Sequence, residues 1–271
     1  MTRRLVGKVC VVVGAGQQPG PTIGNGRATS IRFAQEGARL LLIDRDADAV
    51  AQTVAAIRAG DPAGDVTIEV ESVTVDITTD DAPAAIVRAA LDLYGRIDVL
   101  HNNVGIGAGD APPHRLTDEA FDRIIDVNLR ALWRTCREAI PPMREQGSGV
   151  ITNVSSIASV AGNMIAAYRM SKAGVDALTK NLAVTNAEHG IRVNAILPGL
   201  IDTPLGVDSA AAAMGMDRDV LAQRRAASVP MRHQGTAWDV ANAALFLASD
   251  EAAFISGVCL PVDGAQSARV G

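Results

Sequence analysis

Lysine, cysteine, histidine and aromatic residues are all scarce in this 271-residue sequence, and each shortage argues against a class of protein. With three lysines and a formal net charge of −5, the chain has no basic patch of the kind that binds nucleic acid. The three cysteines lie far apart among apolar neighbours, which indicates reduced, buried thiols and not a disulfide framework. The four histidines lack the spacing of metal ligands. We therefore expect neither nucleic acid nor a metal ion as a partner.

Long hydrophobic runs are also missing. No apolar stretch approaches the length of a membrane-spanning helix, and the short run after Arg3 and Arg4 breaks at Gly14 without a cleavage signal. A hydrophobic fraction of 48% with 20% charged residues is typical of a folded globular protein. We expect a soluble cytoplasmic protein with no membrane partner, folded as one domain over residues 1–271.

Short β-branched runs alternate with longer Ala-rich amphipathic stretches along the whole chain. The seven runs are residues 8–13, 38–44, 66–76, 97–103, 149–156, 191–199 and 257–264. Because the runs are almost continuously apolar, both faces of the sheet must be covered by helices. Strand-helix-strand repetition with right-handed crossovers then predicts a doubly wound parallel sheet of seven strands, an α/β Rossmann fold with helices on both faces.

A glycine-rich turn follows the first predicted strand. It precedes a helix predicted to begin near Asn25, and its glycines are Gly14, Gly16, Gly20, Gly24 and Gly26. Such glycines let backbone amides approach a pyrophosphate at the positive end of a helix. The strand before the turn and the helix after it make this a candidate dinucleotide site.

Asp44 ends the second predicted strand, 20 residues after Gly24. A carboxylate there can hydrogen-bond the adenosine ribose hydroxyls and repel a 2′-phosphate, so NAD is favoured over NADP. Two alternatives stay open: the neighbouring Arg45 could pair with such a phosphate, and Asp44 could simply cap the next helix.

Tyr168 and Lys172 stand four residues apart in a predicted helix, so both side chains lie on one face. A nearby ammonium favours the phenolate, which would bring the phenol towards the pH range of proton exchange with an alcohol. The alternative is a contact on the helix surface. Ser155 and Ser156 weigh against it, because they stand at a strand end, where open parallel sheets carry their active sites.

From Lys8 to Gly264 the sequence resembles the short-chain dehydrogenases and reductases. The family's Asn-Asn-Ala-Gly stretch is matched by residues 102–105, with Val104 in place of alanine. Its active-site asparagine is matched by Asn128, and its serine, tyrosine and lysine by Ser156, Tyr168 and Lys172. These motifs occur in the family's order, and together they are specific.

The resemblance implies a role for each matched residue. Tyr168 would be the general acid or base, Lys172 would bind the nicotinamide ribose, Ser156 would orient the substrate oxygen, and Asn128 would support a proton-relaying water. The cofactor contacts implied by the glycine turn, Asp44 and the family match are Gly14, Gly24, Asn25, Gly26, Asp44, Asp76, Ile77, Asn103, Val104, Gly105, Tyr168, Lys172, Pro198, Gly199, Ile201 and Thr203. Asp76 would contact the adenine, and Ile201 and Thr203 the nicotinamide carboxamide.

Two further departures from the family pattern affect the predicted site. The glycine turn is about six residues longer than usual, with the insertion at about Gln17–Ile23, which enlarges the cofactor loop. The interval from Ser156 to Tyr168 is one residue shorter than the family's most common spacing, which leaves Ser155 as a second candidate for the serine role.

Residues 200–235 form the longest stretch without a clear strand or helix pattern, and we predict the substrate pocket under them. Leu205, Met214, Met216 and Leu221 favour an apolar or cyclic substrate, although a sugar or a carrier-bound acyl chain stays open. The C-terminal strand resembles the family's subunit-contact region, which implies a homotetramer or a homodimer.

The leading hypothesis is an NAD-dependent oxidoreductase that moves a hydride between nicotinamide and a secondary alcohol or ketone. An NADPH-dependent ketone reductase is one alternative. A non-catalytic NAD(H)-binding sensor or scaffold is another, because a fold alone does not establish chemistry. An extended-family epimerase or dehydratase is disfavoured, because too little chain follows Gly264 for a C-terminal substrate domain.

Overall fold

The computed structural model describes residues 3–60, 68–161 and 165–269. Its strands are β1 (Val9–Val13), β2 (Arg39–Asp44), β3 (Val70–Thr74), β4 (Val99–Asn102), β5 (Gly149–Val154), β6 (Ile191–Pro198), β7 (Ile201–Asp202), β8 (Gly235–Thr236) and β9 (Cys259–Val262). In this part of the chain, seven strands form one parallel sheet in the order β3-β2-β1-β4-β5-β6-β9, and β7 pairs with β8 separately. The predicted doubly wound fold is confirmed.

Helices connect the strands and cover both faces of the sheet. They are α1 (Asn25–Gln35), α2 (Ala47–Ala59), α3 (Ala82–Tyr94), α4 (Asp118–Ile125), α5 (Ala131–Glu145), α6 (Ala167–Asn186), α7 (Ser209–Met214), α8 (Arg218–Ser228) and α9 (Ala237–Ala248). A π-helical turn, Asp126–Arg130, joins α4 to α5, and a second one, Pro204–Asp208, precedes α7.

Successive side chains of each strand point to opposite faces, so the sheet has two cores. Val12 and Leu42 belong to the core shared with α1, α2 and α9. Val11 and Val13 belong to the core shared with α3, α5 and α6. This double burial explains why the strands have continuous apolar sequences.

Strand order reverses between β1 and β4, because the chain builds β2 and β3 on one side of β1 and the later strands on the other. Parallel sheets of this kind bind ligands at the carboxyl ends of the strands beside such a reversal. Val13 pairs there with Asn102, which pairs in turn with Asn153.

The structure refines two of the predicted segments. The run 66–76 forms a strand only over Val70–Thr74, and residues 66 and 67 lie outside the described residues. Residues 200–235, which lack a clear pattern in sequence, contain β7, the second π-helical turn, α7, α8 and β8. The single-domain assignment and the position of the substrate pocket stay predictions.

Among the described residues, no helix combines the length and the apolar character needed to cross a membrane. The same part of the chain contains no group of three or more metal-ligating side chains.

Candidate active site

The side chains of Tyr168 and Lys172 project from α6 towards the carboxyl end of β5. Lys172 is 2% exposed, and its Nζ donates a 2.8 Å hydrogen bond to the backbone carbonyl of Val154, the last residue of β5. Nζ also lies 5.8 Å from the centroid of the Tyr168 ring. Burial lowers the pKa of Lys172 to about 8, and Asp176 acts in the opposite direction.

The pKa of Tyr168 moves the other way from the direction expected from sequence. Desolvation by the surrounding protein raises the pKa of the phenol, although the residue keeps some exposed surface, and the Ser156 side chain acts in the lowering direction. The loss of water therefore outweighs the hydrogen bond with the Ser156 side chain.

The two serines after β5 have different partners, and this separates them. The Ser155 side chain is buried, and its hydroxyl donates to the backbone carbonyl of Lys172 at 3.1 Å. Ser156 begins a short 3₁₀ turn and accepts a hydrogen bond from Ala158 N at 3.1 Å. Of the two serines, only Ser156 lowers the pKa of the Tyr168 phenol, whereas the Ser155 hydroxyl already has a backbone partner. The structure therefore favours Ser156 for the serine role.

Asn128 lies in the π-helical turn between α4 and α5 and is completely buried. Its Oδ1 accepts from Ile106 N at 2.8 Å, and its Nδ2 donates to Ile106 O at 2.9 Å and to Ser171 Oγ at 3.0 Å. Ser171 Oγ donates in turn to the carbonyl of Tyr168 at 2.7 Å. The Asn128 side chain thus joins the segment after β4 to α6. A π-helical turn in this place is typical of functional sites.

The glycine turn forms a cradle that larger residues would fill. A Cβ on Gly26 would lie 1.9 Å from the carbonyl oxygen of Gly14, and one on Gly14 would lie 2.8 Å from Val104 Cγ2. Asn103 Nδ2 donates to Gly14 O at 2.9 Å and holds the turn against β4. α1 begins at Asn25, after Gly24, with no side-chain cap.

Two polar atoms beside this cradle are buried without a partner among the described residues: Thr22 Oγ1 and Asn25 Oδ1. An uncapped helix N-terminus with nearby unsatisfied polar groups suits a phosphate-bearing ligand. The residues present therefore fit the diphosphate of a dinucleotide.

The insertion in the glycine turn reaches the 200–235 segment. Gln17 folds the insertion back on itself, with its Oε1 accepting from Gly24 N at 2.9 Å. Gln18 Oε1 accepts from Ser209 Oγ at 2.5 Å, and a Cβ on Gly20 would lie 2.9 Å from Pro204 Cβ. The enlarged loop therefore packs directly against the second π-helical turn and the start of α7.

Asp44 is held at the end of β2 by backbone amides. Its Oδ2 accepts from Gly16 N at 2.8 Å and its Oδ1 from Asp46 N at 3.1 Å. The helix-cap interpretation of Asp44 is wrong, because Asp46 caps α2 by accepting from Ala49 N. Arg45 is exposed, and its charge helps to lower the pKa of Asp76, after the hydrogen bonds from Thr78.

The remaining predicted cofactor contacts also lie along this edge. Ile77 and Val104 line one crevice with Val13 and Asn102 at the reversal of strand order. Pro198 ends β6, and Gly199 packs so closely that a Cβ would lie 2.7 Å from Asp263 Cα. Ile201 is buried in β7.

Thr203 is buried next to β7, and its hydroxyl caps the following π-helical turn by accepting from Gly206 N at 3.0 Å. Its side chain is thereby oriented by the turn that follows it.

The apolar residues predicted to line the substrate pocket differ in exposure. Leu205 and Met214 are exposed, whereas Leu221 is buried. Sequence reasoning missed Arg218, which pairs with Asp202 at 2.6 Å and with Asp208 at 3.2 Å and so ties α8 to β7 and to the second π-helical turn. No periodicity or motif marks this pairing, because it forms only when the segment folds back on itself.

Comparison with known proteins places this geometry among nicotinamide-dependent enzymes. A family model described as Enoyl-(Acyl carrier protein) reductase matches residues 22–265. Levodione reductase of Leifsonia aquatica is 34% identical over 98% of this chain and 97% of its own length. Cis-4-hydroxycyclohexanecarboxylate dehydrogenase of Sinomonas cyclohexanicum is 38% identical over 96% of this chain and 97% of its own.

Solved structures agree with these relatives. A crystal structure of levodione reductase has a TM-score of 0.92 at 33% identity and covers 98% of this chain and 100% of its own. Carveol dehydrogenase from Mycobacterium avium, crystallised in complex with NAD, has a TM-score of 0.89 at 27% identity, with 99% of this chain and 100% of its own covered.

Proposed function

This chain belongs to the short-chain dehydrogenase/reductase family, NAD(P)-dependent oxidoreductases that act on CH–OH and C=O groups, and on that premise we propose that it interconverts a cyclic secondary alcohol and its ketone with NAD. The observation that carries the proposal is the convergence of Tyr168, Lys172 and Ser156 at the carboxyl end of β5. Asp44 lies at the same edge of the sheet, at the end of β2.

The cofactor would be held by groups with separate tasks. The cradle of Gly14, Gly24, Asn25 and Gly26 suits the diphosphate, and Asp44 suits the adenosine ribose. The Lys172 ammonium suits the second ribose, with Gly105 beside it, and Asn103 would lie along the cofactor next to Gly14. Ile201 and Thr203 would hold the carboxamide. A nicotinamide bound here supplies the acceptor for the hydride that leaves the alcohol carbon.

Proton transfer is the task of this chain's own residues. Tyr168 Oη would take the proton of the substrate hydroxyl as the carbonyl forms, and would return it in the reverse reaction. Ser156 would hold the substrate oxygen beside the phenol. Since burial raises the pKa of Tyr168, the Lys172 ammonium is needed next to it when the phenolate forms. Asn128 would hold α6 and the segment after β4 together through its side-chain hydrogen bonds.

A preference for NAD rests on Asp44. A carboxylate at the end of β2 repels a 2′-phosphate and accepts from ribose hydroxyls. The NADPH-dependent alternative rests on Arg45, whose exposed guanidinium lies next to Asp44 and near Asp76. Calorimetric titration of the purified protein with NADH and with NADPH separates the two. Tighter NADPH binding would assign the dominant role to Arg45.

The substrate class rests on the names of the relatives and on the segment over the site. Levodione, carveol and a hydroxycyclohexane carboxylate, named in those relatives, each carry the oxygen on a six-membered ring. The apolar Leu205, Met214 and Leu221 of this chain suit such a ring. Because none of these three side chains is charged or a strong hydrogen-bonding group, a ring alcohol is favoured over a sugar.

The proposal is tested by absorbance turnover on a panel of cyclic secondary alcohols and ketones, with wild type compared against Tyr168→Phe. General acid–base catalysis contributes about 100- to 10,000-fold, so the variant should lose about 100-fold or more of its activity while still binding NADH. Tyr94→Phe is the matched control, because the Tyr94 hydroxyl donates to Leu40 O, away from the site. Cofactor binding without turnover by wild type on any substrate would favour the non-catalytic sensor or scaffold.

Subunit assembly and cellular location stay predictions. We retain a homotetramer or homodimer and a cytoplasmic location as expectations, which sedimentation of the purified protein and cell fractionation would test.

A further inference from the structure

α6 carries Tyr168 in its first turn, yet its first turn receives no cap from its own N-terminal residue. The residue before the helix is Ala166, whose methyl group cannot accept a hydrogen bond. The backbone N–H groups of a first helical turn lack partners within the helix and need acceptors from elsewhere. The position of Tyr168 therefore depends on another part of the chain.

Asp110 supplies these acceptors from the segment after β4. Its Oδ1 accepts from Ala166 N and Ala167 N, each at 3.1 Å, and its Oδ2 accepts from Tyr168 N at 2.7 Å. The same Oδ1 accepts from Ala111 N at 2.8 Å, which orients the carboxylate within its own segment. One carboxylate thus holds three consecutive amides at the start of a helix that begins more than fifty residues later.

The carboxylate also suits this place electrostatically. α6 is 20 residues long, and the positive end of its dipole points at Asp110. Hydrogen bonds from backbone amides to a charged carboxylate are shorter and stronger than those between neutral groups. The 2.7 Å contact with Tyr168 N is the shortest of the set.

The segment between β4 and Asp110 passes along the site. Ile106 is held by both polar atoms of Asn128, and a Cβ on Gly107 would lie 3.6 Å from Tyr168 Cδ2. The Tyr168 ring is thus bounded by this segment on one side, while its backbone is tied to the end of the same segment.

We propose that Asp110 is a positioning residue, whose carboxylate fixes the first turn of α6 so that the Tyr168 hydroxyl is presented to Ser156 and the substrate. The expected effect on kcat rests on the proposed function, whereas the hydrogen bonds between Asp110 and the start of α6 do not. Asp110 acts through the backbone of Tyr168 and touches neither substrate nor cofactor.

Misplacing a reacting group by about 1 Å can cost about 100-fold in rate, so Asp110→Ala should lower kcat by about 10- to 100-fold. The dissociation constant for NADH should change less than kcat, because the glycine cradle and Asp44 are untouched. Asp110→Asn keeps one acceptor oxygen and should recover part of the lost kcat.

Asp98→Asn is the matched control. Asp98 is also a poorly exposed aspartate that accepts a backbone amide, Val9 N at 2.8 Å, but it precedes β4 at the opposite edge of the sheet. If Asp110 acts only through general stability, Asp98→Asn and Asp110→Asn should lower kcat alike. We expect Asp98→Asn to lower thermal stability and to leave the kcat of the folded enzyme within about twofold.

Two readouts are independent of turnover. Hydrogen exchange of the amides of residues 166–168 should be about tenfold faster in Asp110→Ala than in wild type. In a Tyr94→Phe background Tyr168 is the remaining tyrosine, so absorbance titration follows its phenol alone. A loosened first turn admits water, and the pKa of Tyr168 should then fall from its raised value towards 10.

Wild-type kcat in Asp110→Ala, or a loss no larger than that of Asp98→Asn, would overturn the proposal. Unchanged exchange and an unchanged Tyr168 titration would overturn it as well. If wild type turns over no substrate, the proposed function is contradicted instead. The hydrogen-exchange and titration results then decide the role of Asp110, because neither depends on turnover.

Discussion

Gly105 lies directly against the ammonium of Lys172: a Cβ on Gly105 would stand 3.1 Å from Nζ and 3.5 Å from Cε. The absence of a side chain at residue 105 therefore creates the space in which Nζ reaches the carbonyl of Val154. The same Cβ would lie 3.8 Å from Asn128 Oδ1, so a side chain at residue 105 would contact two of the residues predicted to be catalytic.

Gly105→Ala should therefore lower activity more than stability. The obstructed atom is the far end of a flexible side chain, so Lys172 can move aside, but its ammonium then leaves its place beside Tyr168. We expect kcat to fall by about tenfold or more, with unfolding free energy changed by about 1 kcal/mol at most. Steady-state kinetics and urea unfolding measure the two effects. Gly60→Ala, at the end of α2 and with a Cβ 3.4 Å from Ile57 O, is the control.

The depressed pKa of Lys172 predicts a specific dependence of stability on pH. The pKa is about 8 in the folded protein against an ordinary value of 10.5, so the folded state binds fewer protons than the unfolded chain between these values. The contribution of this group to unfolding free energy therefore rises as pH increases from about 8 to 10.5, and the buried ammonium is a cost below pH 8. The full difference is about 3 kcal/mol.

Urea unfolding of wild type and Lys172→Met at pH 7 and pH 10 isolates this contribution, because the other titrating groups are common to both proteins. Wild type should gain stability relative to the variant as pH rises. An identical pH dependence in the two proteins would mean that Lys172 keeps its ordinary pKa in the fold.

The contact between the inserted loop and the 200–235 segment predicts that disturbing it weakens the binding of the cofactor and of the substrate together. Gly20→Ala would place a Cβ 2.9 Å from Pro204 Cβ and push the two segments apart. Because one segment covers the predicted cofactor site and the other the predicted substrate pocket, KM for NAD and KM for the alcohol should both rise, by about three- to tenfold.

Ser209→Ala removes the hydrogen bond to Gln18 Oε1, together with a longer one to Pro204 O, and should give a smaller change of the same kind. A rise in one KM alone would show that the contact does not couple the two sites. Initial-rate measurements with each ligand varied in turn distinguish these results.

Asp44 has two tasks, and its replacement should affect both. Its carboxylate accepts from Gly16 N and, as proposed, from the adenosine ribose. Asp44→Ala should weaken NADH binding by about 10- to 100-fold, the equivalent of one or two hydrogen bonds to a charged group. NADPH binding should weaken less or improve, because a repulsive charge is removed beside Arg45. Calorimetry with both cofactors measures the ratio, and an unchanged ratio would contradict the role given to Asp44.

The parts of the fold that repeat were predictable. The central strands carry apolar runs because both of their faces are buried, as Val11 and Val12 illustrate by pointing into different cores. The start of α1 at Asn25 was predictable as well, because the run of glycines before it disfavours a regular strand or helix. The 200–235 segment was not, because its short helices are held by Arg218 and its partners Asp202 and Asp208, which no local pattern reveals.

By itself, the sequence determined the order of strands and helices, the glycine cradle, the acid at the end of β2 and the Tyr168–Lys172 pair. These features depend on residues close together in the chain, where spacing and side-chain chemistry are sufficient. Tertiary structure alone decided that the Ser155 hydroxyl donates to the backbone carbonyl of Lys172, that burial raises the pKa of Tyr168, and that Asp110 holds the start of α6. Each of these depends on loss of water or on hydrogen-bond partners brought together from distant parts of the chain, and neither is encoded in local spacing.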